Sequence, residues 1–174
     1  MDRIYLEAER AVKKYGTRNP YELLDGMGAI LEFSHDYQPD GLKGFAAIIN
    51  SVMYVVVNGH LGEHDRRIVV GHEAAHLILH KNEILRCPAK AMKDFNLYCE
   101  TGRLEHQANH FLADFLVSDE QLLDVAYGKN LGYFQVASEL YLPPELLAFK
   151  LSSMIGRGLP VKQPVGLESD FLRS

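Results

Sequence analysis

The sequence predicts an α+β fold in which a small, mostly antiparallel sheet packs against one long helix and a bundle of helices follows. The sheet is predicted from two runs rich in β-branched residues, 45–49 and 52–57, which are separated only by Asn50-Ser51 and therefore predict a hairpin. Apolar residues recur at helical spacing before this pair, and again in several segments between residues 66 and 154. Helices segregated from a short run of strands are typical of the α+β class.

Two helices and one strand are predicted before the hairpin. Residues 4–15 place apolar side chains at helical spacing, and Gly16 provides a stop. Asn19 and Pro20 predict the start of a second, short helix, because an N-cap residue followed by the fixed φ of proline suits a first helical turn. The short apolar run at residues 29–33 then predicts a strand.

Helices are predicted over most of the chain after the hairpin. The pattern is helical over residues 66–80 and again over residues 102–117, with a loop-like segment between them. Ser118 with Gln121 three residues later predicts a capping box that begins the next helix. Two further short helices are predicted at residues 131–140 and 144–154.

These patterns predict a core domain over residues 1–128, a helix pair packed on it over residues 129–156, and a flexible tail over residues 157–174. The chain has 174 residues, which is enough for one domain with a proper core plus a small helical appendage. The tail is predicted to be flexible because glycine and proline recur in it.

Composition excludes several classes of protein. Hydrophobic residues make up 47% of the chain and charged residues 24%, which is typical of a globular domain. The net charge of -5 argues against a dominant nucleic-acid surface. Two cysteines are too few for a disulfide-stapled secreted domain. Charges near the amino terminus exclude a secretory signal, and no stretch predicts a membrane span, so we expect a soluble, cytoplasmic protein.

The residues that carry chemistry begin with the run HEAAH at positions 72–76. His72 and His76 are four residues apart, so on a helix both imidazoles project from one face and can reach one metal ion. Glu73 would lie beside that ion, where its carboxylate can take a proton from activated water and pass it to a leaving amine. Zinc suits such a site, although manganese or iron could occupy the same ligands.

A catalytic zinc needs a third protein ligand, and Glu105 is our candidate. It lies early on the helix predicted at residues 102–117. Asn109 follows one turn later on the same face, where its amide could hydrogen-bond a ligand and fix its orientation. By position alone, however, the favoured interpretation of Glu105 is a carboxylate that interacts with the amino-terminal end of the helix dipole.

Several other residues are rivals as ligands. His80 continues the spacing of His72 and His76, but each step of four rotates the side chain by about 40°. A contact with the helix-end carbonyls is therefore expected for it. His106 and His110 form another pair four apart, for which a solvated face is the expected setting. Neither Cys87 nor Cys99 shows the spacing of a structural zinc site, although thiolate ligation stays open.

The run at positions 72–76, followed by His80 and then by EHQANHF at positions 105–111, resembles the ImmA/IrrE metallopeptidases. Their signature is a HExxH helix, often ending in Leu-His, followed by a helix that bears E-x-x-A-N-x-F. The resemblance extends over roughly residues 1–155, because the amino-terminal helices, the strand ending at Asn58 and the closing helix pair follow the family's order. This combination is far more specific than HExxH alone.

The resemblance implies a zincin-like minimal metallopeptidase with one Zn²⁺ per chain. It implies His72, His76 and Glu105 as ligands, the last in the manner of a gluzincin, and Glu73 as the catalytic acid and base. It also implies a protein partner. This would be a helix-turn-helix repressor of a phage, mobile element or stress regulon, which the chain would cleave as an anti-repressor.

Two alternatives to a peptidase follow from the same sequence. A zinc-containing module could sequester or sense such a partner without cutting it. Direct DNA binding through the closing helix pair is not expected, because the helix at residues 144–154 has Lys150 as its single basic residue. The sequence leaves the oxyanion-stabilising residue open. Candidates are the extra histidines and Tyr54, Tyr98 and Tyr127.

Overall fold

The computed structural model describes residues 2–86, 101–128 and 131–161. These residues form eight helices and three strands, so the predicted α+β class is confirmed. The elements in chain order are α1 (Asp2–Tyr15), α2 (Pro20–Met27), β1 (Ile30–Ser34), β2 (Gly44–Ile49), β3 (Val52–Asn58), α3 (Glu63–Leu79), α4 (Lys81–Arg86), α5 (Thr101–Leu116), α6 (Asp119–Gly128), α7 (Tyr133–Glu139) and α8 (Pro144–Gly156).

The sheet has three strands in the order β1-β3-β2. Strands β2 and β3 form the predicted antiparallel hairpin, and Asn50 and Ser51 adopt φ values of 50° and 67°, as a two-residue turn between twisted strands requires. Strand β1 pairs with β3 in parallel, with Ile30 opposite Tyr54. The sheet is therefore mixed, and the prediction of a mostly antiparallel sheet was wrong in this respect.

The predicted helix starts agree with the observed caps. The Asn19 side chain accepts a hydrogen bond from the Tyr21 backbone N–H at 3.0 Å, and Ser118 Oγ accepts one from the Gln121 backbone N–H at 3.1 Å. Helix α4 was missed, because six residues are too few to show a period. It occupies the start of the segment predicted as a loop. The rest of that segment, with both cysteines and Tyr98, lies outside the described residues.

The described residues divide into two compact units. A sheet unit comprises residues 19–86 and 101–108, and a helical unit comprises residues 2–18, 109–128 and 131–161. The domain boundaries predicted after residues 128 and 156 stay predictions. Among the described residues, no helix combines the length and the apolar character needed to cross a bilayer.

In the sheet unit, helix α3 packs on strands β2 and β3 and against α2. Gly44 marks the closest approach between helix and sheet. A Cβ atom at this position would lie 2.6 Å from Val69 Cγ1, 3.0 Å from the Val56 backbone oxygen and 3.6 Å from Glu73 Cγ. The missing side chain thus lets α3 lie close to β2 at the turn that carries Glu73.

The helical unit contains a fully buried lysine at its centre. Lys150 Nζ on α8 lies 2.9 Å from Asp114 Oδ1 on α5 and 2.8 Å from Asp119 Oδ1 on α6. Ser153 Oγ donates a hydrogen bond of 2.6 Å to the second oxygen of Asp114. A buried charge is tolerated only when it is paired in this way. The one basic residue of α8 is therefore paired with two carboxylates inside the helical unit.

Arg157 extends the buried charge cluster at the end of α8. Its guanidinium donates to both carboxylate oxygens of Asp119, at 2.6 and 2.8 Å, and lies 3.7 Å from the centre of the Tyr5 ring. Burial alone would raise the pKa of Asp119, but the hydrogen bonds from Arg157 and Lys150 outweigh it and lower the pKa from 3.8 to about 2.

We predict that Gly44→Ala destabilises the fold by about 1–3 kcal/mol, because the new Cβ would overlap Val69 and the backbone of β3. Gly62→Ala is the matched control, since nothing lies within 4 Å of a Cβ there, and we expect it to cost less than about 1 kcal/mol. Urea unfolding followed by circular dichroism measures both. Equal losses for the two variants would contradict the close approach of α3 to β2.

We predict that Asp119→Asn loses stability in a pH-dependent way. Since the folded pKa of about 2 lies below the ordinary 3.8, the ionised carboxylate stabilises the fold above pH 4. That contribution is lost as the pH falls through 2. The difference in unfolding free energy between parent and variant should therefore be largest near neutral pH and shrink in acid. Glu120→Gln, at the exposed next position, should differ little from the parent. A pH-independent difference for Asp119→Asn would refute the assignment.

Candidate metal centre

Helix α3 supplies most of the candidate site. Its buried face is formed by apolar residues that pack on the sheet, and His72, Glu73 and His76 are buried along the same stretch of helix. The two histidines lie one turn apart, as their spacing predicts, with ring centres 4.8 Å apart. The packing of α3 thus holds both imidazoles in place without a ligand.

Helix α5 brings Glu105 to the two histidines. Its carboxylate oxygens lie 2.9 Å from His72 Nε2 and 3.3 Å from His76 Nε2, and the two imidazole nitrogens are 3.1 Å apart. Among the described residues, these three form the group of histidine and acidic side chains that could hold a metal ion. Ligand atoms around a tetrahedral Zn²⁺ lie about 3.3 Å apart, so the donor atoms fit such an ion in both type and spacing.

The ionisation of two of these side chains suits metal ligation. Burial lowers the pKa of His76 to about 4, which leaves its imidazole neutral at pH 7 and able to offer a lone pair. Burial alone would raise the pKa of Glu105, but the hydrogen bonds with His72 and His76 outweigh it, and the pKa lies well below its ordinary range. The third ligand is thus a carboxylate rather than a carboxylic acid.

Glu73 follows His72 on α3 but is not part of the group formed by His72, His76 and Glu105. Its carboxylate accepts a hydrogen bond from the Ala46 backbone N–H of β2. Burial raises its pKa from 4.5 to about 7, and the nearby Glu105 charge acts in the same direction, whereas His72 opposes them. A carboxyl group with a pKa near neutrality can both accept and release a proton at pH 7, as acid–base catalysis requires.

His80 ends helix α3 as expected, but its ring has other contacts than those predicted. His80 Nδ1 lies 3.0 Å from His76 Nδ1, and His80 Nε2 lies 3.0 Å from Gln107 Oε1. Both ring nitrogens are therefore engaged by side chains, and it is the His80 backbone N–H, rather than its ring, that contacts a terminal carbonyl, that of His76. The sequence did not predict a role for Gln107, because only its place two residues after Glu105 links it to the site.

The remaining candidates occupy varied positions. Asn109 is buried one turn after Glu105 on α5, and its contact with a ligand stays a prediction. His106 is exposed, whereas His110 is buried with its ring edge-on to Phe149 at 5.0 Å, so the solvated face expected for this pair was wrong for His110. Tyr54 on β3 and the exposed Tyr127 on α6 stay open as oxyanion-stabilising candidates.

Comparison with known proteins agrees with this geometry. A family profile described as the IrrE N-terminal-like domain, Peptidase_M78, matches residues 30–152, which is well over half of the chain. The chain is also similar to a protein of Bacillus phage phi105 called "Uncharacterized immunity region protein 2", with 30% identity over 112 residues. That match covers 64% of this chain and 66% of the phage protein, just under two thirds of its length. The resemblance drawn from the two motifs is confirmed, and the chain belongs to the IrrE N-terminal-like domain family of peptidases.

Proposed function

We propose that this chain is a zinc-dependent endopeptidase that cleaves a protein substrate. The observation that supports this most is the convergence of His72, His76 and Glu105 beside the buried carboxyl group of Glu73. A site that served only to stabilise the fold would be closed by a fourth protein ligand. Here, the described residues offer three, together with an acid–base group next to them.

In this proposal, His72, His76 and Glu105 would hold one ion. When bound, Zn²⁺ supplies a Lewis acid that polarises a peptide carbonyl and acidifies water. The carboxylate of Glu105 would offset the positive charge of the ion, while the imidazoles of His72 and His76 would orient it against α3.

Glu73 moves the proton in the proposed reaction. Its ionised form accepts the proton that water loses as the water oxygen attacks the carbonyl carbon. Its protonated form then gives that proton to the amide nitrogen as the C–N bond breaks. The hydrogen bond from the Ala46 backbone N–H positions the Glu73 carboxylate for this transfer.

We further propose that the substrate is a DNA-binding repressor of the helix-turn-helix class. Two observations support a role in the control of a repressor. The chain belongs to this family, and the name of the phage relative places that protein in an immunity region. Cleavage of such a repressor would switch on the genes that it silences, so the chain would act as an anti-repressor.

We predict that the purified chain contains about one zinc ion per chain and that Glu105→Ala loses most of it, because two imidazoles alone are a weak site. Elemental analysis after dialysis against zinc at neutral pH measures the content. Glu120→Ala, which removes an exposed carboxylate from α6, should retain the metal. A parent chain that binds no zinc under these conditions would refute the proposed site.

We predict that Glu73→Gln retains zinc but slows cleavage by about 100- to 10,000-fold, because an amide cannot accept the proton. Glu63→Gln, at an exposed position on the same helix, should cleave like the parent. The assay follows shortening of a purified helix-turn-helix repressor offered as substrate, by gel electrophoresis and mass spectrometry. Cleavage by Glu73→Gln at the parent's rate would show that another residue moves the proton.

The same assay distinguishes a peptidase from a module that only binds its partner. A zinc-loaded chain that co-purifies with an intact repressor and never shortens it, with or without other metals, would refute the peptidase and favour sequestration. Shortened repressor that depends on Glu73 would support the peptidase.

A further inference from the structure

We propose that Gln107 and His80 form a hydrogen-bonded chain that fixes the tautomer of His76, and that both are therefore positioning residues for this ligand. The chain runs from Gln107 on α5 through His80 at the end of α3 to His76 one turn earlier. This role rests on the proposed metal site, because it concerns which nitrogen of His76 is available to an ion.

The geometry gives each ring nitrogen of His76 a different neighbour. Nε2 faces the other ligands, 3.1 Å from His72 Nε2 and 3.3 Å from Glu105 Oε1. Nδ1 faces away from them and lies 3.0 Å from His80 Nδ1. A neutral imidazole can ligate only through its unprotonated nitrogen. His76 therefore serves the site only when its proton is on Nδ1.

The contact with His80 can enforce that state. If His76 Nδ1 carries the proton, it must donate to His80 Nδ1, which must then be the unprotonated nitrogen of the His80 ring. The proton of His80 is consequently on Nε2, which lies 3.0 Å from Gln107 Oε1. An amide oxygen can only accept, so Gln107 completes a chain in which every donor meets an acceptor.

The opposite arrangement would deactivate the ligand. If the proton of His80 were on Nδ1, His80 would donate to His76 Nδ1. His80 Nε2 would then be an acceptor, and it would face another acceptor, the amide oxygen of Gln107. The proton of His76 would then be on Nε2, where the ion belongs. With its amide oxygen towards His80 Nε2, Gln107 disfavours this arrangement, because two facing acceptors would leave a part-buried polar contact unsatisfied.

The local fold explains why His80 can reach back to His76. His80 has left the helical conformation, with φ of -121° and ψ of 28°, although its backbone N–H still donates to the His76 carbonyl at 2.9 Å. Its side chain is 3% exposed, so water does not compete strongly for the ring nitrogens. Helix α5 supplies both Glu105, a proposed ligand, and Gln107, the last member of the hydrogen-bonded series that leads to His76.

Nuclear magnetic resonance of ¹⁵N-labelled protein reads the tautomers directly. Two-bond ¹H–¹⁵N spectra distinguish a ring protonated at Nδ1 from one protonated at Nε2, and the signals are assigned with His76→Ala and His80→Phe. We expect the Nε2–H form for His80, with and without Zn²⁺, and the Nδ1–H form for His76 in the zinc-loaded chain. His80 in the Nδ1–H form would overturn the proposal.

Variants of Gln107 separate positioning from mere packing. Gln107→Leu removes the acceptor at similar volume, and we expect it to weaken zinc binding about 10- to 100-fold, as loss of a group that orients a ligand does. Gln107→Glu restores an acceptor and should bind within about threefold of the parent. Gln121→Leu, the same change at an exposed position, should bind like the parent. Competition with a chromogenic chelator measures all four affinities.

The outcomes separate this proposal from the proposed peptidase. If Gln107→Leu and Gln107→Glu weaken zinc binding equally, or if neither weakens it, the positioning role of Gln107 and His80 is overturned, whatever the peptidase activity. The expected tautomers and affinities in a protein that cleaves no repressor would support the positioning role and count against the peptidase alone.

Discussion

The contact on which the candidate site depends is the carboxylate of Glu105 held between the imidazoles of His72 and His76. The three groups come from two helices and meet within 3.3 Å, although 33 residues separate Glu105 from His72 in the sequence. The ionised carboxylate stabilises this arrangement because hydrogen bonds outweigh its burial. The close approach at Gly44 and the contacts of His80 keep α3 and its side chains in the position that this contact with Glu105 requires.

Local features of the fold could be predicted from the sequence. The hairpin follows from β-branched runs around Asn50-Ser51, and the caps at Asn19 and Ser118 follow from side chains that bond to nearby backbone. The parallel pairing of β1 could not be predicted, since nothing within a strand's own sequence records the direction of its partner. Helix α4 escaped because its six residues span less than two turns.

The candidate site, like the fold, could be predicted from the sequence only in its local features. The spacing of His72 and His76 is a property of one helix and could be predicted from the sequence. Glu105 had no local signature that separated a ligand from a helix-end carboxylate, and only the family motif favoured the first. Gln107 could not be predicted, because its relation to His80 exists only where two helices meet. His110 was misjudged because spacing along α5 does not tell which face is covered.

The three side chains of the proposed metal site are unevenly buried, which has a consequence for how an ion would enter and leave. His72 and His76 are 8% and 7% exposed, whereas Glu105 is 28% exposed. Solvent therefore touches this group of donors mainly through its carboxylate. In the proposed metal site, an ion or a chelator would therefore meet Glu105 first, because it is the most exposed of the three side chains. Loading and stripping would accordingly be governed by the rotation of a single side chain, and would be fast compared with opening of the fold.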